Sequence, residues 1–151
     1  MVWPAFLLFK TIYSVMAVFN YKSGLGHVGS YQASAIPFLT SSLTIPVSSS
    51  TPYGVTFPKV TRFVVTNNLD GTSANIPLRF GFSSDGVKGT ENTNYGILNN
   101  GESFEAEFRV TRLYLLSDDG AVECNASVIA GLTVVDALEL ENNWSGSAGV
   151  G

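Results

Sequence analysis

Turn dipeptides in which glycine follows aspartate or asparagine punctuate this chain at near-regular intervals. They are Asp70-Gly71, Asp85-Gly86, Asn100-Gly101 and Asp119-Gly120. Such pairs favour positive φ and tight reversals of the chain. Their spacing allows an extended segment between successive turns, as a meandering antiparallel sheet requires, and no long segment has helical periodicity. The sequence therefore predicts an all-β protein.

Segments rich in β-branched and aromatic residues lie between these turns and upstream of them. The predicted strands are 38–47, 54–57, 60–66, 75–82, 95–98, 103–116 (as two strands or one bent strand) and 122–132. Residues 30–35 alternate and are predicted to be extended, and residues 134–141 are predicted to form a helical turn or the end of a strand. An antiparallel β-sandwich with Greek-key connections follows from this pattern.

Period-two alternation predicts which side chains face the core. Glu105, Glu107 and Arg109 alternate with apolar residues, which places one face of this segment in solvent and the other in the interior. The predicted core residues are Phe63, Val65, Phe80, Phe82, Phe104, Phe108, Leu113 and Leu115.

Composition predicts one domain whose surface is covered by neighbours. The chain has 151 residues, and we expect a folded domain at residues 20–141 followed by a Gly/Ser tail at 142–151. Charged residues make up 13%, about half the usual share of roughly 25%. The 8 basic residues are scattered and the net charge is −4, so we expect no direct contact with nucleic acid.

Residues 1–19 are strongly apolar and leave four interpretations open. The first two are a signal peptide and a membrane span, although Lys10 interrupts the apolar run and Pro4 stands near its start. Met16 as the natural start, with an upstream in-frame extension, is the third. The fourth is an N-terminal arm that docks on a neighbouring subunit. Overall we expect no membrane contact.

No set of residues predicts catalysis, a metal or a cofactor. His27 and Cys124 are the only residues of their types, and no orienting third group accompanies them. Zinc would need more ligands. Asp118-Asp119-Gly120 is typical of a hairpin tip rather than of a calcium loop. We therefore predict a protein that is not an enzyme, with no catalytic, metal-binding or cofactor-binding residue.

Two further patterns have a structural explanation that we prefer. Glu102, Glu105 and Glu107 could supply paired carboxylates for glycoside hydrolysis, but their spacing is that of a half-exposed strand. The loop 24–29 reads G-x-G-x-x-G, yet no helical pattern follows it, so we predict a tight loop and no dinucleotide site.

Exposed aromatic residues could instead form a sugar-binding platform on a β-sandwich. This alternative, a carbohydrate-binding lectin-like module, uses surface tyrosines. The candidates are Tyr13, Tyr21, Tyr31, Tyr53, Tyr95 and Tyr114.

Four phrases, in this order, resemble a known family. They are residues 20–34 (NYKSGLGHVGSYQAS), 36–40 (IPFLT), 57–65 (FPKVTRFVV) and 127–133 (SVIAGLT). Together they resemble the single-jelly-roll minor capsid and penton proteins of nucleocytoplasmic large DNA viruses, the chlorella-virus-like group. The resemblance covers residue 20 to about residue 135 and leaves out the leader before Met16.

The resemblance implies a single jelly roll and a structural role in an icosahedral virion that is assembled in the host cytoplasm. It implies a homopentamer at a fivefold vertex, in contact with the major and other minor capsid proteins. Glycine permits close backbone approach, so we place subunit contacts at the glycine-rich segment 21–32. The glycine pattern alone is equally consistent with residues that only shape a turn. The candidate contact residues are Tyr21, Gly24, Gly26, His27, Gly29, Tyr31 and Gln32.

Overall fold

The computed structural model describes residues 23–32, 35–69, 75–90 and 93–140. Eight antiparallel strands form two four-stranded sheets. The strands are β1 (Ile36–Ile45), β2 (Tyr53–Thr56), β3 (Lys59–Asn68), β4 (Leu78–Gly81), β5 (Gly96–Leu98), β6 (Ser103–Ala106), β7 (Arg112–Ser117) and β8 (Cys124–Asp136). Several predictions fall outside the described residues: the leader 1–19, Tyr21, the Asp70-Gly71 turn and the tail 142–151.

The strand order identifies the architecture. Sheet A has the order β1-β8-β3-β6, and sheet B has the order β2-β7-β4-β5. Successive strands mostly alternate between the sheets, and among the described strands only β4 and β5 are neighbours both in sequence and in a sheet. The expected meander is therefore wrong, whereas the Greek-key sandwich is confirmed. Eight strands in this double Greek-key arrangement form a jelly roll.

Two short helices replace elements that the sequence assigned otherwise. Helix α1 (Gly29–Gln32) occupies part of the segment 30–35 that was expected to be extended. Helix α2 (Ser84–Lys88) contains the Asp85-Gly86 pair that was expected to be a turn. Its first turn is stabilised because the Ser83 hydroxyl accepts a hydrogen bond from the Gly86 N–H at 3.1 Å. Gly89, at φ 71°, ends the helix.

The other predicted reversals are present where the structure describes them. Gly101 has φ 77° in the turn between β5 and β6, as its Asn100-Gly101 signature predicts. The carboxylate of Asp119 accepts hydrogen bonds from the N–H groups of Ala121 and Val122 at 2.7 and 2.8 Å. A side-chain cap therefore holds the β7–β8 turn. Residues 134–141 divide into the end of β8 and a 3₁₀ turn at Ala137–Glu139, with residue 141 outside the described part.

The core lies between the sheets. On β3, the prediction assigned the wrong set of alternate residues to the core. Phe80, Leu113 and Leu115 are buried as expected, and Phe82 and Phe104 are half-buried against the core cluster. Phe63 and Val65, however, lie on the outer face of sheet A, because Val64 and Thr66 point inward. Phe108 is 42% exposed, since the chain leaves sheet A after β6. The inward set also contains Phe57, Ile45, Leu78 and Val128.

Glycine explains how a phenylalanine can lie on the outer face. Phe63 pairs with Gly131 across β3 and β8. A Cβ at Gly131 would stand 2.3 Å from Cε1 of Phe63 and 2.5 Å from Cβ of Ala35. The absent side chain therefore leaves the space in which the Phe63 ring and the start of β1 pack.

Asn68 connects the two sheets through the interior. It ends β3 in sheet A, and its side chain is fully buried. Its amide donates to the carbonyl oxygens of Ile76 at 2.9 Å and of Leu98 at 3.0 Å. Ile76 leads into β4 and Leu98 lies on β5, both in sheet B. One side chain thus fixes the distance between the sheets at this end of the sandwich.

Replacement of Asn68 by alanine should lower the free energy of unfolding by about 2–3 kcal/mol, because it removes two buried hydrogen bonds. Asn67→Ala is the matched control. Its side chain lies on the outer face and donates once, to the Ser127 hydroxyl at 3.0 Å. We expect it to cost less than about 1 kcal/mol. Equal urea midpoints for the two variants would contradict the connecting role of Asn68.

Candidate interaction surface

The glycine-rich segment forms an exposed turn before β1. The N–H of His27 donates to the Gly24 carbonyl oxygen at 3.0 Å. Nδ1 of His27 lies 2.9 Å from the Ser30 hydroxyl, and Ser30 itself is buried at the start of α1. Gly26, His27 and Gly29 are exposed. Most of the predicted contact residues therefore reach solvent in the isolated chain.

Contacts within the chain explain two of the three predicted glycines, Gly24 and Gly29, by close approach. A Cβ at Gly24 would lie 3.3 Å from Oε2 of Glu139. A Cβ at Gly29 would meet the ring of His27 at 3.0 Å, and one at Gly26 would meet nothing within 4 Å. None of the three has positive φ. Gly26 therefore offers free space beside its backbone.

Helix α1 brings Tyr31 and Gln32 together with charged residues of sheet A and its edge. The guanidinium carbon of Arg109 lies 5.2 Å from the centre of the Tyr31 ring, which is within cation–π range. Gln32, Arg62 and Glu107 complete the lining of an open depression of about 380 Å³. The Tyr31 hydroxyl oxygen is buried and makes no hydrogen bond with the described residues. Sequence analysis did not associate Arg62, Glu107 or Arg109 with this segment.

The residues considered for catalysis lie apart. Cys124 is buried at the start of β8, whereas the His27 turn packs near Glu139, beyond the other end of that strand. Glu102 caps a turn by accepting from the Asn99 N–H at 2.8 Å, and Glu105 and Glu107 are exposed. In the described ranges, no three acidic, His or Cys residues are grouped as metal ligands would be. No helix in those ranges is long and apolar enough to cross a membrane.

One lateral side of the sandwich is formed by uncharged segments. The end strands β1 and β2 lie opposite each other, as the Phe38 and Phe57 rings show, with centroids 5.0 Å apart. No Asp, Glu, Lys or Arg occurs anywhere between Lys22 and Lys59. Both strands and their connecting loop therefore consist of uncharged residues. We call β1, β2 and the loop 46–52 the uncharged side.

The opposite lateral side differs in charge. It contains β5, β6 and the turn between them, and its exposed charges include Glu102, Glu105, Glu107 and Arg109. Natural end strands are commonly protected from pairing by charged residues. β1 instead has Pro37 and an irregularity between Thr40 and Leu43, where Ser42 adopts φ 53°. This geometry would interrupt the pairing of a further strand with the free edge of β1. It favours contacts through side chains and loops instead.

The uncharged side is the functional feature that sequence analysis missed. The signal was visible as a gap between Lys22 and Lys59 in an already sparse set of charges. Its meaning depended on the fold, because only the strand order places β1 and β2 together on one side. Depletion of charge is a property of the centres of protein interfaces.

A second concave region lies at the end of the sandwich near the C-terminal segment. It has a volume of about 410 Å³, and its lining includes Phe82, Tyr114, Arg112, Ser83 and Leu138. Of the candidate platform tyrosines that the structure describes, only Tyr114 lines it, and Tyr13 and Tyr21 lie outside the described residues. Tyr95 is engaged by Arg79, whose guanidinium carbon lies 4.6 Å from the ring centre, and Tyr53 lies on β2.

Comparison with known proteins adds one distant structure. No family model and no curated protein matches the chain. The crystal structure of a pentameric capsid protein isolated from metagenomic phage sequences aligns with 87% of this chain and 94% of that chain, at 11% identity and a TM-score of 0.25. A TM-score this low carries no argument about fold or function.

Tyr31→Phe should raise the free energy of unfolding of the isolated subunit by about 1 kcal/mol, because it removes a buried hydroxyl that has no hydrogen-bond partner among the described residues. Tyr53→Phe, on a tyrosine that is 39% exposed, should leave stability unchanged. Thermal and urea unfolding of both variants measure this. A Tyr31→Phe variant less stable than wild type would show that the hydroxyl is satisfied within the subunit.

Proposed function

We propose that this chain is a structural subunit of an icosahedral virus shell, with the fivefold vertex of a large DNA virus as its place. The observation that carries the proposal is a jelly roll whose lateral side, β1 with β2, is formed by uncharged segments. Jelly rolls serve in viral capsids and in lectins. A shell subunit differs from a lectin in needing extensive lateral contacts with its neighbours.

The two unlike lateral sides suit a ring. In a cyclic assembly beyond a dimer, each subunit contacts its neighbours through two different surfaces. The uncharged side can be buried without desolvating charges of its own, whereas burial of an unpaired charge is costly. The side that contains Glu105 and Glu107 would need cationic partners if it were buried. We therefore place the uncharged side at a contact between copies.

The phrases that resemble large-virus capsid proteins extend this proposal to its location. Residues 57–65 cover the bend before β3 and the first part of that strand, and residues 127–133 lie on β8. These are the two central strands of sheet A. The proposal also includes a homopentamer, contacts with major and minor capsid proteins, and assembly in the host cytoplasm. It further includes the absence of enzymatic activity.

A carbohydrate-binding module is the second candidate, and the region lined by Phe82, Tyr114 and Arg112 favours it. An aromatic surface beside polar groups can bind the apolar face of a sugar and its hydroxyls. This candidate predicts a monomer or small oligomer with saturable glycan binding. Tyr114→Ala would abolish that binding.

Quantitative mass spectrometry of purified virions tests the proposal. We expect the chain at a low, fixed ratio to the major shell protein, because the vertices are few compared with the faces of an icosahedral shell. Absence from virions, together with saturable glycan binding that Tyr114→Ala abolishes, would contradict the shell assignment in favour of the lectin.

A matched pair of variants tests the side of contact. Thr44 on β1 and Ser103 on β6 are exposed hydroxyl residues on opposite end strands of sheet A. Thr44→Glu should fold but enter virions at least tenfold less than wild type, whereas Ser103→Glu should enter normally. Normal entry of folded Thr44→Glu would show that the uncharged side is not the contact.

A further inference from the structure

The outer face of sheet A has an apolar row that crosses all of its strands except β6. Leu39 on β1 pairs with Ile129 on β8, and Ile129 pairs with Val65 on β3. Leu39 is 69% exposed and Ile129 is 36% exposed. Side chains paired in this way touch across strands. Glu105 on β6 pairs with Val65 and ends the row. We call Leu39, Ile129 and Val65 the outer row.

The residues on either side of the outer row have partners. In one direction along the strands, Asn67 donates a hydrogen bond to Ser127 at 3.0 Å, which makes that part of the face polar. In the other direction, the Phe63 ring and Ala35 pack over Gly131. Ala35, which precedes β1, therefore covers part of this face, whereas Leu39 and Ile129 in the outer row are exposed.

We propose that residues 1–19 of the same chain bind the outer row. The chain enters the described structure at Ser23, and the adjoining Gly24 lies beside Glu139, just beyond the end of β8. Ile129 lies on the same strand, seven residues before its end. At about 3.3 Å per residue that separation is roughly 23 Å, and the 19 residues of the segment, if extended, reach roughly 63 Å.

Composition and charge identify this segment as the occupant. Residues 2–9 are Val-Trp-Pro-Ala-Phe-Leu-Leu-Phe, and residues 15–19 are Val-Met-Ala-Val-Phe. An apolar run of this kind gains free energy by leaving water, at about 25 cal/mol per Å² of buried surface. The one charge within residues 1–19, Lys10, is opposite in sign to Glu105 at the end of the row. A covalent link also gives the segment a high effective concentration at its own sheet.

Trp3 allows the contact to be measured in the purified chain. Trp3 and Trp144 are its two tryptophans, so Trp144→Phe makes Trp3 the sole reporter. We expect Trp3 emission to be blue-shifted relative to the urea-unfolded chain and shielded from acrylamide. Both properties should persist on dilution, because the contact is within one chain.

Lysine substitutions in the Trp144→Phe background test the location. Ile129→Lys and Leu39→Lys should each shift Trp3 emission to the red and raise its quenching at least twofold. Ile97→Lys is the matched control, because Ile97 is 49% exposed on β5 of the other sheet, and it should change neither. Circular dichroism will check that each variant is folded. If Ile129→Lys does not fold, Leu39→Lys still tests the location, because Leu39 lies on an end strand where a lysine is more easily accommodated.

Three results would overturn the proposal. One is Trp3 emission that equals that of the unfolded chain, and another is emission that both outer-row lysines leave unchanged. The third is shielding that disappears on dilution, which would mean that a second copy supplies the segment. None of these measurements uses virions, so the proposal can fail while the shell assignment stands.

Discussion

The jelly roll depends on two buried polar side chains of β3. Asn68, at the end of the strand, donates to Ile76 and Leu98 in or beside sheet B. Thr61, near its start, accepts from the Val110 N–H at 3.0 Å, and its hydroxyl lies 2.6 Å from the Phe108 carbonyl oxygen. Phe108 and Val110 belong to the segment that crosses from β6 to β7. Each side chain thus supplies hydrogen bonds where the chain leaves the regular ladder of a sheet.

These two connections position the surfaces that matter for function. They connect β3 to the segments that cross between the sheets, and the strand order places β1 opposite β2 on one side and β5 opposite β6 on the other. The charge-free sequence between Lys22 and Lys59 then forms one lateral side, while Glu102, Glu105 and Glu107 lie on the opposite one. A fold with two unlike sides is suited to heterologous contacts that close a ring.

The sequence predicted most strands and most inward-facing residues correctly, but it assigned the wrong face of β3 to the core. Turn dipeptides and β-branched runs located the strands because both signals are local. The phase on β3 was wrong because Val60, Phe63, Val64 and Val65 make both faces apolar, and only the pairing of Phe63 with Gly131 shows which face is outer. Asp85-Gly86 became helical because the Ser83 cap competes with the turn. The charge-free interval between Lys22 and Lys59 was visible in the sequence, but only the strand order places β1 and β2 on one side.

The most direct test of the central claim is a reconstruction of the assembled virion by electron cryomicroscopy at a resolution that traces strands. The account predicts five copies of this jelly roll around each fivefold axis, with β1 and β2 of every copy facing an adjacent copy. Density for this chain at threefold or quasi-sixfold positions, with another protein on the fivefold axis, would contradict the vertex assignment. Density at the vertex with β1 and β2 facing solvent would contradict the role of the uncharged side.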